Sequence, residues 1–313
     1  MVALDAARIR HAIESDLDAC CAIWKAGIDD YQGRLNQPAM PDDLSGLLRL
    51  LDHFLTTDPD RFLVATEGDE VVGFASATVR GDLWFLGMLF VRPDRQAAGL
   101  GRALLDAARA GDLGAIRRWG TCTDSAQPIS NALYARIGLV PRIPIWRMTG
   151  DVHDRGALPG LAGGAEVEAF EAIVDGSPDG HRRLAEIVNA LDREVIGLEH
   201  PADHALLRRD DRRGFLLRTA DGDPLGYGYA SAVGRIGPIA TIDPSLVAPM
   251  LGWLLANVPA SGSRSVWLPA AAAEAFAAGI RAGLRLDGFP GLICWSSGDH
   301  PFERYVPISL ALV

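Results

Sequence analysis

Cysteine is scarce: four occur among 313 residues, adjacent at Cys20 and Cys21 and isolated at Cys122 and Cys294. Without a pattern they argue against a disulfide framework or a zinc site, so no metal is expected, and for a reducing cytoplasm. Lysine is scarcer still, with Lys25 alone among 30 basic side chains. Against these stand 40 acidic residues, for a formal net charge of -10. That balance argues against nucleic acid as a partner, because phosphate backbones are held by clustered Lys and Arg. No apolar run reaches the roughly 18 residues that span a bilayer, so no membrane partner is expected. The stretch Met1-Val2-Ala3-Leu4-Asp5 has no basic start followed by an apolar core, and no signal peptide is expected from it. What is present, 49% hydrophobic residues in a chain about twice a typical domain in length, predicts a cytoplasmic protein with two buried cores.

The most informative stretch is Leu89-Phe90-Val91-Arg92-Pro93-Asp94-Arg95-Gln96-Ala97-Ala98-Gly99-Leu100-Gly101-Arg102, an apolar strand turning through small residues into an amphipathic helix. Ala97, Ala98 and Gly99 let a ligand approach the backbone closely. The first N–H groups of the helix lack intrahelical partners and, with the helix dipole, attract an anion. Arg92, Arg95 and Arg102 could offset phosphate charge. Two other phosphate loops fit poorly. A Rossmann turn needs a third small residue where Leu104 stands, and a P-loop needs a Gly-Lys-Ser/Thr triplet that is absent.

A second signature follows. After a strand at 117–123 comes a helix holding Ser130-Asn131-Ala132-Leu133-Tyr134-Ala135-Arg136, closed by Gly138 as a left-handed stop. Gln96, Gly99 and Gly101 in the pattern Q/R-x-x-G-x-G/A, followed by Asn131 and Tyr134 on one helix face, resemble the GNAT superfamily of acyl-CoA N-acyltransferases. The resemblance covers roughly residues 8 to 148. It implies acetyl-CoA as co-substrate, with Leu89, Phe90 and Val91 offering backbone groups to the pantetheine. Gln96, Ala97, Ala98, Gly99, Leu100, Gly101 and Arg102 would hold the pyrophosphate, and Asn131 the pantetheine arm. Tyr134 would protonate the departing thiolate after direct attack by a neutral amine. Members often place a Glu on or beside the fourth strand as base. None stands between Trp84 and Val91 here, so Asp124, a residue of the second half or a water relay remain open.

The coarse order is a strand at 8–13, a helix ending near Gly27, a helix at 41–55, strands at 62–67, 71–80 and 82–92, then the loop. Ile28 to Pro38 reads as a long inter-helix loop, and in the resembled family this region lines the acceptor pocket. Asp30 and Tyr31 would suit a cationic amine there, a small molecule or a peptide amine; a solvated acidic helix end is the plainer alternative.

The stretch 154–164 is Gly-rich and aperiodic and reads as a linker. Beyond it the chain repeats the first half in outline, but Ala240-Thr241-Ile242-Asp243-Pro244 lacks the small-residue pattern and no Asn-x-x-Tyr follows. The expected fold is thus α/β (α+β), with two GNAT-like domains, each a mixed, mostly antiparallel splayed sheet flanked by helices. A catalytic domain would span 1–150 and a degenerate one, without CoA, 165–313. The segment 302–312 is expected to be a strand. The second domain would cover a sheet edge, complete the acceptor pocket or pair two copies in a homodimer. An acyl-CoA-binding or scaffold protein without turnover is the alternative to an N-acetyltransferase.

Overall fold

The structure, a computed structural model, describes residues 7–161 and 163–313. The Met1–Asp5 stretch read for a leader and Ala162 of the expected linker lie outside them. The chain packs as two compact units, Met1–Gly120 and Thr121–Val313.

In the first unit, β1 (Ala7–His11), β2 (Phe62–Glu67), β3 (Glu70–Arg80) and β4 (Leu83–Val91) form an antiparallel meander. Strands β2 and β3 are buried at consecutive positions, as in a sheet covered on both faces. The covering helices are α1 (Leu17–Arg34), α2 (Ser45–Thr57) and α3 (Leu100–Ala108). Phe54, Phe62, Phe74 and Trp84 are fully buried, and Trp84 Nε1 donates to Ala108 O at 3.3 Å, tying the end of α3 to β4.

Two sequence expectations change here. Helix α1 continues seven residues beyond Gly27, so Ile28 to Arg34 is helix and not loop. Gly27 permits close packing instead of stopping the helix: a Cβ there would stand 3.2 Å from Phe90 Cδ1. Pairs one turn apart, Lys25 with Asp29 at 2.7 Å and Arg34 with Asp30, carry the helix past it. The second helix starts at Ser45 and not near Pro41.

The second unit takes most of β5 (Arg118–Asp124), then α4 (Pro128–Ala135) and β6 (Val140–Gly150). After a short 3-10 turn capped by Asp154 come β7 (Glu166–Ala169), α5 (Phe170–Val174), α6 (Pro178–Val195) and α7 (Pro201–Arg209). The repeat of the meander is β8 (Arg212–Arg218), β9 (Pro224–Ser231) and β10 (Arg235–Thr241). It is followed by α8 (Val247–Asn257), β11 (Arg264–Pro269), α9 (Ala273–Arg281), β12 (Arg285–Leu286), β13 (Gly291–Trp295) and β14 (Tyr305–Val306). Within this unit the strand order is β5-β13-β6-β11-β10-β9-β8-β7.

That order explains why the compact boundary falls near residue 120 while the sequence repeat turns over near 150. Strand β6 bonds to β12 and then β13 along one side and to β11 along the other, all from the last quarter of the chain. Strand β13 lies between β5 and β6, with Ser125 N–H donating to Pro290 O at 3.0 Å. The expected terminal strand over 302–312 shrinks to β14, because Pro301 and Pro307 supply no ladder N–H. Phe302, Tyr305, Val306 and Leu312 are nonetheless buried, so the segment packs as core without extending the ladder.

Candidate functional site

The phosphate-loop residues lie where β4 passes into α3. Strand β4 carries a bulge: Ser76 pairs with Met88 and Ala77 with Leu86, so Gly87 has no partner on β3. A bulge frees backbone groups of one strand from its ladder and re-aims them. Beyond it, Leu89, Phe90 and Val91 pair with Ala75, Phe74 and Gly73, while the Phe90 ring stacks on Phe74 at 5.7 Å.

After a 3-10 turn at Pro93–Arg95, Gln96 Nε2 reaches back to Val91 O at 3.1 Å and ties loop to strand. Ala97 holds φ 66 and Gly99 holds φ 86. A left-handed alanine costs roughly 1 kcal/mol, and such strain concentrates in ligand-binding loops. Gln96, Ala97, Ala98 and Gly99 are all exposed, whereas Leu100 is buried and anchors the helix start. The first intrahelical bond is Ala103 N–H to Gly99 O at 3.1 Å, so the N–H groups of Leu100, Gly101 and Arg102 precede the ladder. A Cβ on Gly101 would meet only Val91 Cγ2, at 3.8 Å, which is ordinary contact. The protein's own packing therefore does not require glycine at 101; a ligand laid against the backbone would.

The arginines are less available than their positions suggest. Arg92 is shared between Glu70 and Asp94, and Arg95 between Glu67 and Asp94, in a surface network. Arg102 is mostly exposed, with a loose contact to Asp106 at 3.7 Å. Of the three, Arg102 keeps a charge to offer at the helix mouth. In α1, the Asp30 carboxylate is held by Arg34 and Tyr31 is only 9% exposed. Neither presents the open acidic and aromatic surface that a loop would have given.

In the second unit, Asn131 and Tyr134 occupy one face of α4, three residues apart. Asn131 Nδ2 donates to Asp124 O at 3.0 Å and Gln127 O at 2.8 Å, which fixes the amide. Its Oδ1 is buried with no hydrogen-bond partner among the described residues, an acceptor that suits an amide N–H. Tyr134 is 5% exposed, and burial keeps its hydroxyl well above the usual phenol range, with Thr121 as hydrogen-bond partner. It therefore stays protonated throughout the neutral range and has a proton to give. Gly138, at φ 84, ends the helix as expected. Burial also pushes the Cys294 thiol up to about 12 and raises that of Cys122, so neither is a ready thiolate nucleophile. The Asp124 carboxylate accepts from Ala126 N–H at 2.9 Å and closes the turn into α4.

The second unit has its own strand-to-helix junction after β10. There Asp243 Oδ1 accepts from Ser245 N–H at 2.8 Å, Leu246 N–H goes to Asp243 O, and Pro244 has no N–H. Strand β10 pairs with β11 only at Arg235 and Ile236, and with β14 at Ile239 and Ala240; Thr241 N–H also donates to Arg304 O at 3.0 Å. The wedge between the diverging strands is filled by the chain's own Tyr305 and Val306.

Residues 24–139 match the sequence model of the acetyltransferase (GNAT) family, and they include the loop and the Asn131/Tyr134 helix. Over that stretch, a little more than a third of its length, the chain matches a GNAT acetyltransferase domain. No curated protein matches the sequence. Among solved structures, a candidate acetyltransferase from Pyrococcus horikoshii superposes with a TM-score of 0.71 at 16% identity, covering 100% of this chain and 98% of the other. A GCN5-related N-acetyltransferase from Sphaerobacter thermophilus gives 0.59 at 16% identity, covering 94% and 96%. A tandem GNAT protein from the clavulanic acid biosynthesis pathway gives 0.53 at 14% identity, covering 94% and 99%. The fold is that of two GNAT-like domains in tandem, as the repeated outline of the sequence implied. No helix among the described residues is long and apolar enough to cross a membrane.

One cluster escaped the sequence reading. Asp192, His200 and His204 converge in the core of the second unit. The signal was present as two histidines four residues apart, one just before and one inside a proline-started helix.

Proposed function

We propose that the chain is an N-acetyltransferase that moves an acetyl or other short acyl group from acyl-CoA to a primary amine. The observation that carries this reading is the junction of β4 and α3, where three N–H groups precede the helical ladder beside a glycine that only a ligand would require. In the first unit the pyrophosphate of acyl-CoA would be held by Leu100, Gly101 and Arg102 at that helix start and the pantetheine by the β4 backbone; in the second unit, Asn131 Oδ1 is an acceptor suited to a pantetheine amide. Polarising the thioester carbonyl and orienting the amine supply most of the acceleration in a direct transfer. The amine nitrogen forms a bond to the acyl carbon and gives up a proton to water, the carbon–sulfur bond breaks, and the thiolate takes a proton from Tyr134, which is reprotonated from water. The acceptor is a small-molecule amine or a peptide amine. The second domain binds no CoA, its equivalent wedge being filled by β14.

A second reading, an acyl-CoA-binding protein without turnover, is favoured by one observation: β4 has no carboxylate from Trp84 to Val91 to take the proton of the amine. Release of CoA thiol from acetyl-CoA by the whole protein, across a panel of primary amines, separates the two. Amine-dependent release supports transfer, and Tyr134→Phe should then lower turnover by about 100-fold while leaving acetyl-CoA affinity within twofold. Binding without turnover on any amine favours the second reading. Failure to bind acetyl-CoA overturns both.

A further inference from the structure

The second unit contains a polar constellation that acyl transfer does not use. Helix α6 supplies Asp192, the residue before α7 is His200, and the first turns of α7 supply Asp203 and His204. Asp192, His200 and Asp203 are 0% exposed and His204 is 2% exposed. Tyr227 and Tyr229 from β9 and Tyr305 from β14 close around them.

Both imidazoles turn Nε2 toward the same oxygen. Asp192 Oδ2 lies 2.9 Å from His204 Nε2 and 3.3 Å from His200 Nε2. One ligand atom from each of the three residues falls within 4.8 Å of the others. In a tetrahedral zinc site with bonds near 2.0–2.1 Å, ligand atoms stand about 3.3 Å apart, so the three need only small shifts to share an ion. The second ring nitrogens face oxygens of the kind that orient metal-bound histidines, as a hydrogen bond for His204 and at longer range for His200. His204 Nδ1 is 2.9 Å from Tyr229 Oη, and His200 Nδ1 is 3.5 Å from Asp203 Oδ2. The free Asp192 oxygen, Oδ1, accepts from Tyr227 Oη at 2.6 Å.

Two features are left over if the cluster is only a hydrogen-bond network. Neither nitrogen of the fully buried His200 makes a hydrogen bond of good geometry, and the buried Tyr305 hydroxyl has no partner among the described residues. The Asp192 carboxylate is fully buried, and a divalent cation held between it and the two imidazoles would compensate its charge. Arg208, which also reaches the Tyr229 hydroxyl, is exposed and screened.

We propose that Asp192, His200 and His204 form a buried three-residue binding site for a divalent transition metal of the zinc class in the second domain. Nitrogen and carboxylate donors suit Zn²⁺ and Co²⁺ over Ca²⁺ or Mg²⁺, which take oxygen.

The test uses the whole protein, stripped with a chelator in denaturant and refolded with Zn²⁺ or Co²⁺. The expected result is about one ion per chain by elemental analysis after desalting, and visible absorption bands of tetrahedral cobalt. His204→Gln and Asp192→Asn should hold less than about a tenth of an ion per chain. If these variants do not refold, the cobalt spectrum of the unaltered protein decides. Less than about a tenth of an ion per chain in the unaltered protein with both metals, or undiminished metal in folded variants, overturns the proposal and leaves a cluster held together by protons.

Discussion

The junctions after β4 and after β10 occupy equivalent places in the two repeats and treat their helix starts in opposite ways. After β4 the chain spends a left-handed alanine and a left-handed glycine to keep side chains away from the helix mouth, and no acidic side chain caps it. After β10 an aspartate caps the start, a proline removes one donor, and Tyr305 and Val306 fill the wedge beside the strand. The second arrangement is what helix stability alone favours, since an acidic cap satisfies N–H groups and opposes the dipole. The first leaves those groups to an outside anion. Two copies of one fold thus differ, by a few residues, in whether the helix start is capped from within the chain.

The largest expected effect comes from making the first junction resemble the second. Gly99→Asp places a carboxylate where the pyrophosphate charge would sit, at a backbone position with φ 86. Acetyl-CoA affinity, measured by calorimetry, should fall by at least about 100-fold, with a stability cost near 1 kcal/mol for the left-handed residue. A loss below tenfold would place the phosphates elsewhere.

Gly101→Ala is a finer probe, because binding and stability should move in opposite directions. The new methyl meets Val91 Cγ2 at 3.8 Å and nothing else of the protein, and alanine favours a helix interior by up to about 1 kcal/mol over glycine. Affinity for acetyl-CoA should drop about tenfold, while the melting temperature holds or rises. If affinity is unchanged, no ligand lies against that backbone and glycine at 101 has no explanation in binding.

Much of the first repeat was legible from the sequence, for local reasons. Strand β2, the turn at Gly68, strand β4 and the Gly99 start of α3 follow from short apolar runs and from glycines at left-handed positions. Asn131 and Tyr134 were legible because their spacing is that of one helix face. What was not legible depended on partners distant in sequence. Gly27 was read as a stop because the sequence does not show Phe90 packed against it. The paired state of Asp30, Arg92 and Arg95 is a matter of which carboxylates and guanidinia meet. Strand β13 was missed because a five-residue apolar segment acquires its meaning only from the gap it fills between β5 and β6. Helix α7 and the Asp192 cluster were missed together, since histidine spacing carries little signal until α6 brings the aspartate alongside.

The smallest effect tests the other side of the comparison. Asp243→Ala removes the carboxylate that holds Ser245 N–H and so uncaps the helix start after β10. The cost should be about 1 kcal/mol of stability, read as a shift in the denaturation midpoint. It should not create a second acyl-CoA site, because Pro244 still lacks an N–H, Leu246 N–H remains bonded to Asp243 O, and Tyr305 and Val306 still pair with β10. Calorimetry on the variant should therefore give the same stoichiometry of acetyl-CoA as the unaltered protein. A second equivalent bound would mean that the cap alone keeps CoA out, and that the filled wedge between β10 and β11 opens readily enough to contribute nothing to the difference between the two domains.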